Sequence, residues 1–188
     1  MRVDAAPLIP IAGFRLRPLE ASDIDAWYSY LSMPSVVKDT SWDLKSAMDL
    51  KPLVEWYNAE DPSSAIRFAI SPVSDQSIAG TIGFHTISTA NRTAEIAYDI
   101  HPAYWRRGLG FACCTTVADW GFRERGYVRV QATTMETNVP SIRLLEKCGF
   151  GLEGKLRSYR LVRGEPRDFF MFSKLGDGQH AAIPTECA

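Results

Sequence analysis

The sequence lacks the features that mark a membrane protein or a secreted protein. Its 188 residues contain no run of 18 consecutive apolar residues, which excludes a transmembrane helix. Residues 1–7 carry one arginine, then an acid and a proline before any apolar run, which makes a poor signal peptide. We therefore expect a cytoplasmic protein that does not act at a membrane.

Cysteine and histidine are scarce, with four and three residues in the whole chain. Cys113 and Cys114 are neighbours, which rarely bridge each other, and the two remaining cysteines are Cys148 and Cys187. No CxxC pair and no mixed histidine–cysteine ligand spacing occurs. We expect reduced thiols, three of them in the core, and no metal site.

An excess of charge of either sign is also missing. Lysine and arginine total 21 against 22 for aspartate and glutamate, which gives a net charge of −1. This balance argues against a basic nucleic-acid-binding module, although a local basic pocket remains possible. A chain of this length buries roughly 70% of its unfolded surface in one core. We expect one domain over residues 1–175 and a flexible tail over residues 176–188.

The order of the predicted elements indicates a mixed α/β (α+β) domain. Turn residues separate three short strands, at 66–70, 78–88 and 94–100, which predicts an antiparallel meander. Strand 94–100, a helix from Leu109 and strand 127–133 predict a crossover with parallel strands. The other predicted elements are a strand at 11–19, a helix capped at 22–23, a helical region at 46–58 broken by Pro52, a helix capped by Asn138, and a hairpin of strands 156–162 and 169–174.

Two arginines and two glycines come at the start of the helix that follows strand 94–100. A helix N-terminus exposes unpaired N–H groups and a partial positive charge. Gly108 and Gly110 allow an anion to approach the backbone, and Arg106 and Arg107 add charged donors. The pattern is neither GxGxxG nor a Walker motif, because Cys113 stands where the third glycine belongs. By itself, the pattern leaves phosphate binding and a plain tight turn both open.

The segments around this loop make a more specific resemblance. The pattern Arg107-x-x-Gly110-x-Ala112 resembles the coenzyme A loop of the GNAT acetyltransferase superfamily. Residues 138–141 (N-V-P-S) and 145–154 (L-E-K-C-G-F-G-L-E-G) are similar to a run found in its RimJ/RimL-like branch. The opening at 16–19 (L-R-P-L), followed by Ser22 and Asp23, is similar to the start of that branch. The resemblance covers residues 14–175, with the motifs in order.

This resemblance implies the GNAT fold, a mostly antiparallel sheet with a splayed parallel pair of strands flanked by helices. It implies that acetyl-CoA, without a metal, binds where strands 94–100 and 127–133 part, and gives its acetyl group directly to an amine. The family pattern assigns the pantetheine arm to the backbones of Ile100 and His101, with Asn138 near it and Ser141 near the sulfur. It assigns the pyrophosphate to the backbone of the loop: Arg106, Arg107, Gly108, Leu109, Gly110, Phe111 and Ala112.

The reaction also needs proton transfer, because an alkylamine is mostly protonated near pH 7. In the RimJ/RimL-like branch, the strand that corresponds to 94–100 commonly begins with a glutamate, which makes Glu95 the candidate base. The alternatives are that Glu95 is an exposed strand residue or pairs with Arg92. Asp99, on the same strand face, is the second candidate base.

The leaving thiolate needs a proton or a stabilising group. Ser141 is the candidate, although its hydroxyl is equally suited to capping the helix, and Tyr104 is a second candidate donor. A covalent route through Cys113 or Cys114 is disfavoured, because no histidine stands at a matching position.

The sequence leaves the acceptor open. Four arginines in the C-terminal hairpin suit either a solvated surface or an anionic group on the acceptor. Three tryptophans in the N-terminal half are expected in the core or in a pocket wall. The arginines are Arg157, Arg160, Arg163 and Arg167, and the tryptophans are Trp27, Trp42 and Trp56. The candidate acceptors are a protein N-terminus, an amino acid or peptide-like metabolite, a polyamine and an aminoglycoside.

The oligomeric state and two rival functions are also open. The protein is expected to be a monomer or a homodimer. The rival functions are a non-catalytic acyl-CoA sensor and an unrelated nucleotide-binding domain.

Overall fold

The computed structural model describes residues 6–57 and 63–176, which include a seven-stranded sheet in the order β1-β2-β3-β4-β5-β7-β6. Strands β2 to β4 form the predicted antiparallel meander, β1 pairs with β2 in antiparallel orientation, and β4 pairs with β5 in parallel. The predicted mixed α/β fold is confirmed. The strands are β1 (Phe14–Pro18), β2 (Ile66–Pro72), β3 (Gly80–Ser88), β4 (Thr93–Ile100), β5 (Arg129–Met135), β6 (Gly151–Val162) and β7 (Glu165–Leu175).

The C-terminal hairpin is longer than its pattern predicts. Strand β7 lies between β5 and β6 and is antiparallel to both. The turn is only Arg163 and Gly164, both with positive φ, so the strands include residues that composition assigned to the loop. A two-residue turn of this kind matches the twist of a hairpin, and glycine adopts positive φ without strain.

Five α-helices cover the two faces of the sheet within the described residues. The predicted broken region is confirmed: a 3₁₀ turn at Ala47–Leu50 runs into α3, with Pro52 in its first turn, where a missing N–H costs nothing. The short α2 begins at Pro34, and the sequence analysis predicted no helix there. The helices are α1 (Ile24–Leu31), α2 (Pro34–Val37), α3 (Lys51–Tyr57), α4 (Leu109–Arg123) and α5 (Val139–Lys147).

Two apolar clusters lie on the two sides of the sheet. The larger joins the strands to α4 and α5, and it buries Leu109, Cys113 and Val117 of α4. The other joins α1, α2 and α3 to Ala69 of β2. Cys114 and Cys148 are also buried as free thiols, which confirms the predicted core role of three cysteines.

The predicted tail lies almost wholly outside the described residues, as does Cys187. Its first residue, Gly176, donates its N–H to the carbonyl of Val128 at 3.1 Å, so the ordered contacts extend one residue past β7. Among the described helices, none has the length and apolar content needed to cross a bilayer.

Candidate active site

The central feature of the site is a gap between β4 and β5. Their parallel ladder has three residue pairs and ends at Glu95 and Gln131, although β4 continues through Ile100 and β5 through Met135. A cavity of about 360 Å³ is lined by the separated parts of both strands, by α3 and by residues 39–42. The predicted splay of the two strands is confirmed.

The arginine–glycine loop lies at the N-terminus of α4. Gly108 precedes the helix with a φ of +79°, and a Cβ atom placed on it would meet no other atom within 4 Å. Arg106 and Arg107 are exposed, and neither has a carboxylate partner in residues 6–57 or 63–176. Gly110 differs, because a Cβ there would lie 3.1 Å from a methyl of Leu144 on α5. Gly108 therefore leaves open space before the helix, whereas Gly110 makes room for helix packing.

The end of β4 is already hydrogen-bonded within the protein. The carbonyl of Ile100 accepts from the indole Nε1 of Trp105 at 2.7 Å, and the N–H of His101 donates to Ala79 at 2.9 Å. The ring Nδ1 of His101 accepts from the N–H of Ala103. A carbonyl oxygen has two lone pairs, so Ile100 retains one acceptor site.

Helix α5 brings Ser141 into the cavity without using its hydroxyl as a cap. The side chain of Asn138 is the cap, since its Oδ1 accepts from the N–H of Ser141 at 3.1 Å. Its Nδ2 donates to the carbonyl of Asp39, which ties the 39–42 loop to α5. The hydroxyl of Ser141 lies 2.8 Å from that of Tyr98 on β4. Burial raises the pKa of Tyr98 well above its usual value, so this phenol keeps its proton.

Glu95 is 5% exposed and carries several hydrogen bonds. Its Oε1 accepts from the Thr133 hydroxyl at 2.6 Å and lies 3.2 Å from Nε2 of His85 and 3.5 Å from Arg160. Burial alone would raise the pKa of Glu95, but hydrogen bonds from His85 and Thr133 outweigh it and lower the pKa to about 2. The expectation of an exposed Glu95, or of a pair with Arg92, is wrong, because Arg92 donates to a backbone carbonyl instead.

Glu95 does not line the cavity, whereas three side chains that contact it do. These are His85, Thr133 and Arg160. His85 was missed in the sequence because its partner lies ten residues away on another strand. An irregularity of β3 between Phe84 and Thr86 accompanies this position, and apolar periodicity carries no signal for it.

Asp99, the second candidate base, is the centre of a buried network. One oxygen accepts from Arg67 at 2.6 Å and from the Thr81 hydroxyl at 2.8 Å. The other accepts from the indole of Trp27 and from the hydroxyl of Tyr30. Because four donors occupy this carboxylate, it has little capacity left to accept a proton from a substrate.

The cavity wall formed by α3 and residues 39–42 is aromatic, and two of the four hairpin arginines contact the cavity or this wall. Trp42 and Trp56 line it, whereas Trp27 is fully buried in the core. Arg160 lines the cavity. Arg163 donates to the carbonyls of residues 40 and 42 at 3.1 and 3.0 Å, which fixes the loop over the cavity. Arg157 and Arg167 are exposed.

The other residues considered for a chemical role, Tyr104, Cys113 and Cys114, do not line the cavity. Tyr104 packs edge-on against Phe14 and does not line the cavity. Burial raises the pKa of Cys113 to about 12, and the pKa of Cys114 is also raised, first by its hydrogen bond to Cys148 and then by burial. Such thiols are poor nucleophiles, which supports the absence of a covalent route. Within the described residues, no three metal-ligating side chains come together.

A splayed parallel pair in a mostly antiparallel sheet, beside an arginine–glycine loop at a helix start, defines an acyltransferase architecture. The sequence profile of the acetyltransferase (GNAT) domain matches residues 14–151. The uncharacterized N-acetyltransferase p20 of Bacillus licheniformis is 33% identical over 164 residues, 85% of this chain and 91% of that protein. This chain belongs to the GNAT acetyltransferase family, and the resemblance seen in its motifs is confirmed.

Solved structures share the fold at lower sequence identity. RimL, a ribosomal alpha-N-protein acetyltransferase in complex with coenzyme A, matches with a TM-score of 0.79 and 18% identity, covering 90% of this chain and 98% of that one. A spermidine N-acetyltransferase from Vibrio cholerae, in complex with CoA and spermine, matches with a TM-score of 0.77 and 19% identity, covering 88% and 96%. The nucleotide-binding alternative is wrong, because the family and the fold are those of acetyltransferases.

Proposed function

We propose that this protein is an acetyl-CoA-dependent enzyme that transfers an acetyl group directly to a primary amine. The observation that carries the proposal is the gap between β4 and β5, because it lies between two regions suited to different ligands. At one side lies a helix N-terminus with open space and two arginines that have no carboxylate partner in the part of the chain that the structure describes. At the other side lies an aromatic cavity that is lined by the imidazole of His85, with the buried carboxylate of Glu95 behind it.

The residues present fit a long anionic thioester. The exposed guanidinium groups of Arg106 and Arg107, with the first N–H groups of α4, would hold the pyrophosphate. The backbone of Ile100 and His101 and the side chain of Asn138 would run beside the pantetheine. Edge groups of β4 beyond Glu95 pair with no residue of β5, so the arm can bind there like an added strand.

The two proton transfers, from the amine and to the leaving sulfur, would use side chains on opposite faces of the sheet. Successive side chains of a strand point to opposite faces, so Glu95 and Tyr98 lie on different sides of β4. Glu95 belongs to the group that removes a proton from the amine. Ser141, bonded to the Tyr98 hydroxyl, supplies the proton that the leaving sulfur needs. A backbone N–H of β4 would polarise the thioester carbonyl.

Two acceptor classes suit the proposal, a protein N-terminus and a small-molecule amine. Structures with the same fold include an enzyme named for a ribosomal protein and one named for spermidine. The cavity is partly enclosed by Trp42, Trp56 and Tyr57, which favours an acceptor with an apolar part next to the amine. Arg160 is the cation that an anionic group on the acceptor would meet.

The test combines binding with turnover. Calorimetry should show acetyl-CoA uptake by the folded protein. A CoA-release assay should then show turnover with a panel of primary amines: an N-terminal peptide, an amino-acid amide, an aralkylamine and spermidine. Ser141→Ala should lower kcat without weakening acetyl-CoA binding. Binding without turnover of any amine would favour the alternative function, a non-catalytic acyl-CoA sensor, and absence of binding would refute both.

A further inference from the structure

We propose that His85 is the catalytic residue that takes the proton from the acceptor amine, and that Glu95 is a positioning residue that holds its imidazole. The inference deepens the proposed function and rests on it. It starts from placement: His85 lines the cavity with a side chain that is 27% exposed, whereas Glu95 is buried beside it and does not line the cavity.

The hydrogen bonds define which ring nitrogen of His85 can accept a proton. An ionised carboxylate only accepts hydrogen bonds, so the Nε2 atom, 3.2 Å from Glu95 Oε1, must carry a hydrogen. In the neutral ring the free lone pair is then on Nδ1. That atom lies 2.9 Å from the hydroxyl of Thr86, an exposed side chain whose hydroxyl can rotate toward water. Nδ1 is thus the ring atom that can accept a proton, once the Thr86 hydroxyl rotates away from it.

Glu95 itself is poorly placed and poorly suited to accept the proton. Both of its oxygens are in contact with donors, from Thr133, His85 and Arg160 on Oε1 and from Gln131 on Oε2. The low pKa that this arrangement gives Glu95 means that it stays ionised near neutral pH. A base works best when its pKa lies near the working pH, and free imidazole, at about 6.5, is closer than such a carboxylate.

The charged groups around His85 come from several elements. Glu95 on β4 contacts the ring directly, and Arg160 on β6 shares the same carboxylate oxygen. Arg67 on β2 and Asp99 on β4 line the same cavity but neutralise each other at 2.6 Å. The remaining titratable groups in the cavity walls are Asp39, Tyr57 and Tyr98. Glu95 is therefore the charge that stabilises an imidazolium at His85.

The proposed step balances as follows. The acceptor's ammonium gives a proton to Nδ1 of His85, which becomes an imidazolium paired with Glu95, and the nitrogen gains a free electron pair. That pair forms the C–N bond to the thioester carbon, and the C–S bond breaks with its electrons on sulfur. The second proton of the nitrogen passes through the Ser141 hydroxyl to the sulfur. His85 then returns its proton to solvent through its exposed edge.

The experiment measures kcat/KM against pH for the wild type, His85→Gln and Glu95→Gln, with the best amine of the panel. Glu153→Gln is the matched control, because Glu153 also has a pKa lowered to about 2, by Arg129 and Ser173, but is 43% exposed on β6 and does not line the cavity. His85→Gln should lose roughly 10²- to 10⁴-fold at pH 7, the range of one general base. The deficit should shrink near pH 10, where the free amine is abundant.

The two variants should differ in the shape of their pH profiles. His85→Gln should lose the part of the acidic limb that belongs to the imidazole and keep only the rise caused by deprotonation of the amine. Glu95→Gln should keep the imidazole limb, moved to lower pH, since it lacks the charge that stabilises the imidazolium. Glu153→Gln should match the wild type. Acetyl-CoA affinity by calorimetry should be unchanged in all three. If His85→Gln does not fold, His85→Ala with added imidazole replaces it, and recovery of activity by imidazole is expected.

A His85→Gln enzyme with the wild-type acidic limb and activity within threefold of wild type would overturn the inference. So would a Glu95→Gln enzyme that loses the limb while His85→Gln keeps it, since Glu95 would then be the base. Both results leave wild-type turnover intact and so leave the proposed function standing. A wild type that acetylates no amine would instead overturn the proposed function, and this inference with it.

Discussion

The two sides of the gap between β4 and β5 are built in opposite ways. On the cofactor side, defined by residues 100–112, the loop presents exposed arginines and open space next to backbone N–H groups. On the acceptor side, defined by the cavity walls from β2 to β7, the buried charges are already paired, as in Arg67 with Asp99. The cofactor side leaves its two arginines without a carboxylate partner in the described residues, whereas the acceptor side uses its charged groups to hold its own shape.

The largest effect should come from opening the network on the acceptor side. Asp99→Ala removes the acceptor for four donors and leaves the Arg67 guanidinium, only 4% exposed, without its partner. Breaking a buried pair in this way costs about 3–5 kcal/mol. Denaturant unfolding should show a loss of that size.

Glu153→Ala is the control for a surface pair. Its carboxylate binds Arg129 at 2.6 Å but is 43% exposed, so the loss should be below about 1 kcal/mol. Equal losses in the Asp99 and Glu153 variants would contradict the distinction between a self-paired acceptor side and an ordinary surface.

The second prediction concerns acid stability. The pKa of Glu95 is about 2 in the folded protein and ordinarily about 4.5, so its contribution is complete above pH 4.5 and is lost as the pH falls toward 2. A shift of this size corresponds to about 3 kcal/mol. Unfolding free energies measured from pH 5 to 2 should fall less steeply in Glu95→Gln than in the wild type. Parallel curves would show that the Glu95 hydrogen bonds carry no such stability.

The contrast between the two sides also explains what the sequence could predict. The cofactor side is local, because residues 106–112 are one contiguous motif. That motif and the helix cap at Asn138 could be predicted from the residues themselves, whereas the splay was predicted from the family resemblance that the motifs carry. The acceptor side joins distant segments, such as Arg163 with Trp42, 121 residues apart, and Tyr30 with Asp99, 69 apart. Nothing in local periodicity encodes such contacts.

The same reason accounts for the different surroundings of two carboxylates. Glu95 and Asp99 share a strand face, and this was predicted from the period of two. Their different surroundings depend on which side chains other strands bring to them, Thr133 and His85 for one and Arg67 and Thr81 for the other. Chemistry that depends on such partners is visible only once the fold is known.

The third prediction tests how the acceptor side is held closed. Arg163 is exposed, and it donates from one Nη1 atom to the carbonyls of Thr40 and Trp42. Because hydrogen bonds from a charged donor contribute about 1.5–3 kcal/mol at most, Arg163→Ala should raise KM for the acceptor roughly tenfold. Steady-state kinetics should show KM for acetyl-CoA unchanged. Arg167→Ala, on the same hairpin, should behave as wild type, and a rise in KM for acetyl-CoA with Arg163→Ala would mean that the two sides are coupled.

The smallest expected effect gives the most selective test, because it compares two glycines that share a backbone conformation but lie in different parts of the molecule. Gly108 and Gly164 have φ values of +79° and +83°, and a Cβ on either would meet no atom within 4 Å. Alanine in this left-handed conformation should cost about 1 kcal/mol at each position. Gly108→Ala should also weaken acetyl-CoA binding by roughly tenfold, because its methyl group enters the space before the N-terminus of α4. Gly164→Ala, in the β6–β7 turn, should lose the same stability and none of the affinity. Equal acetyl-CoA affinities by calorimetry would show that the open space at Gly108 is not where the pyrophosphate binds.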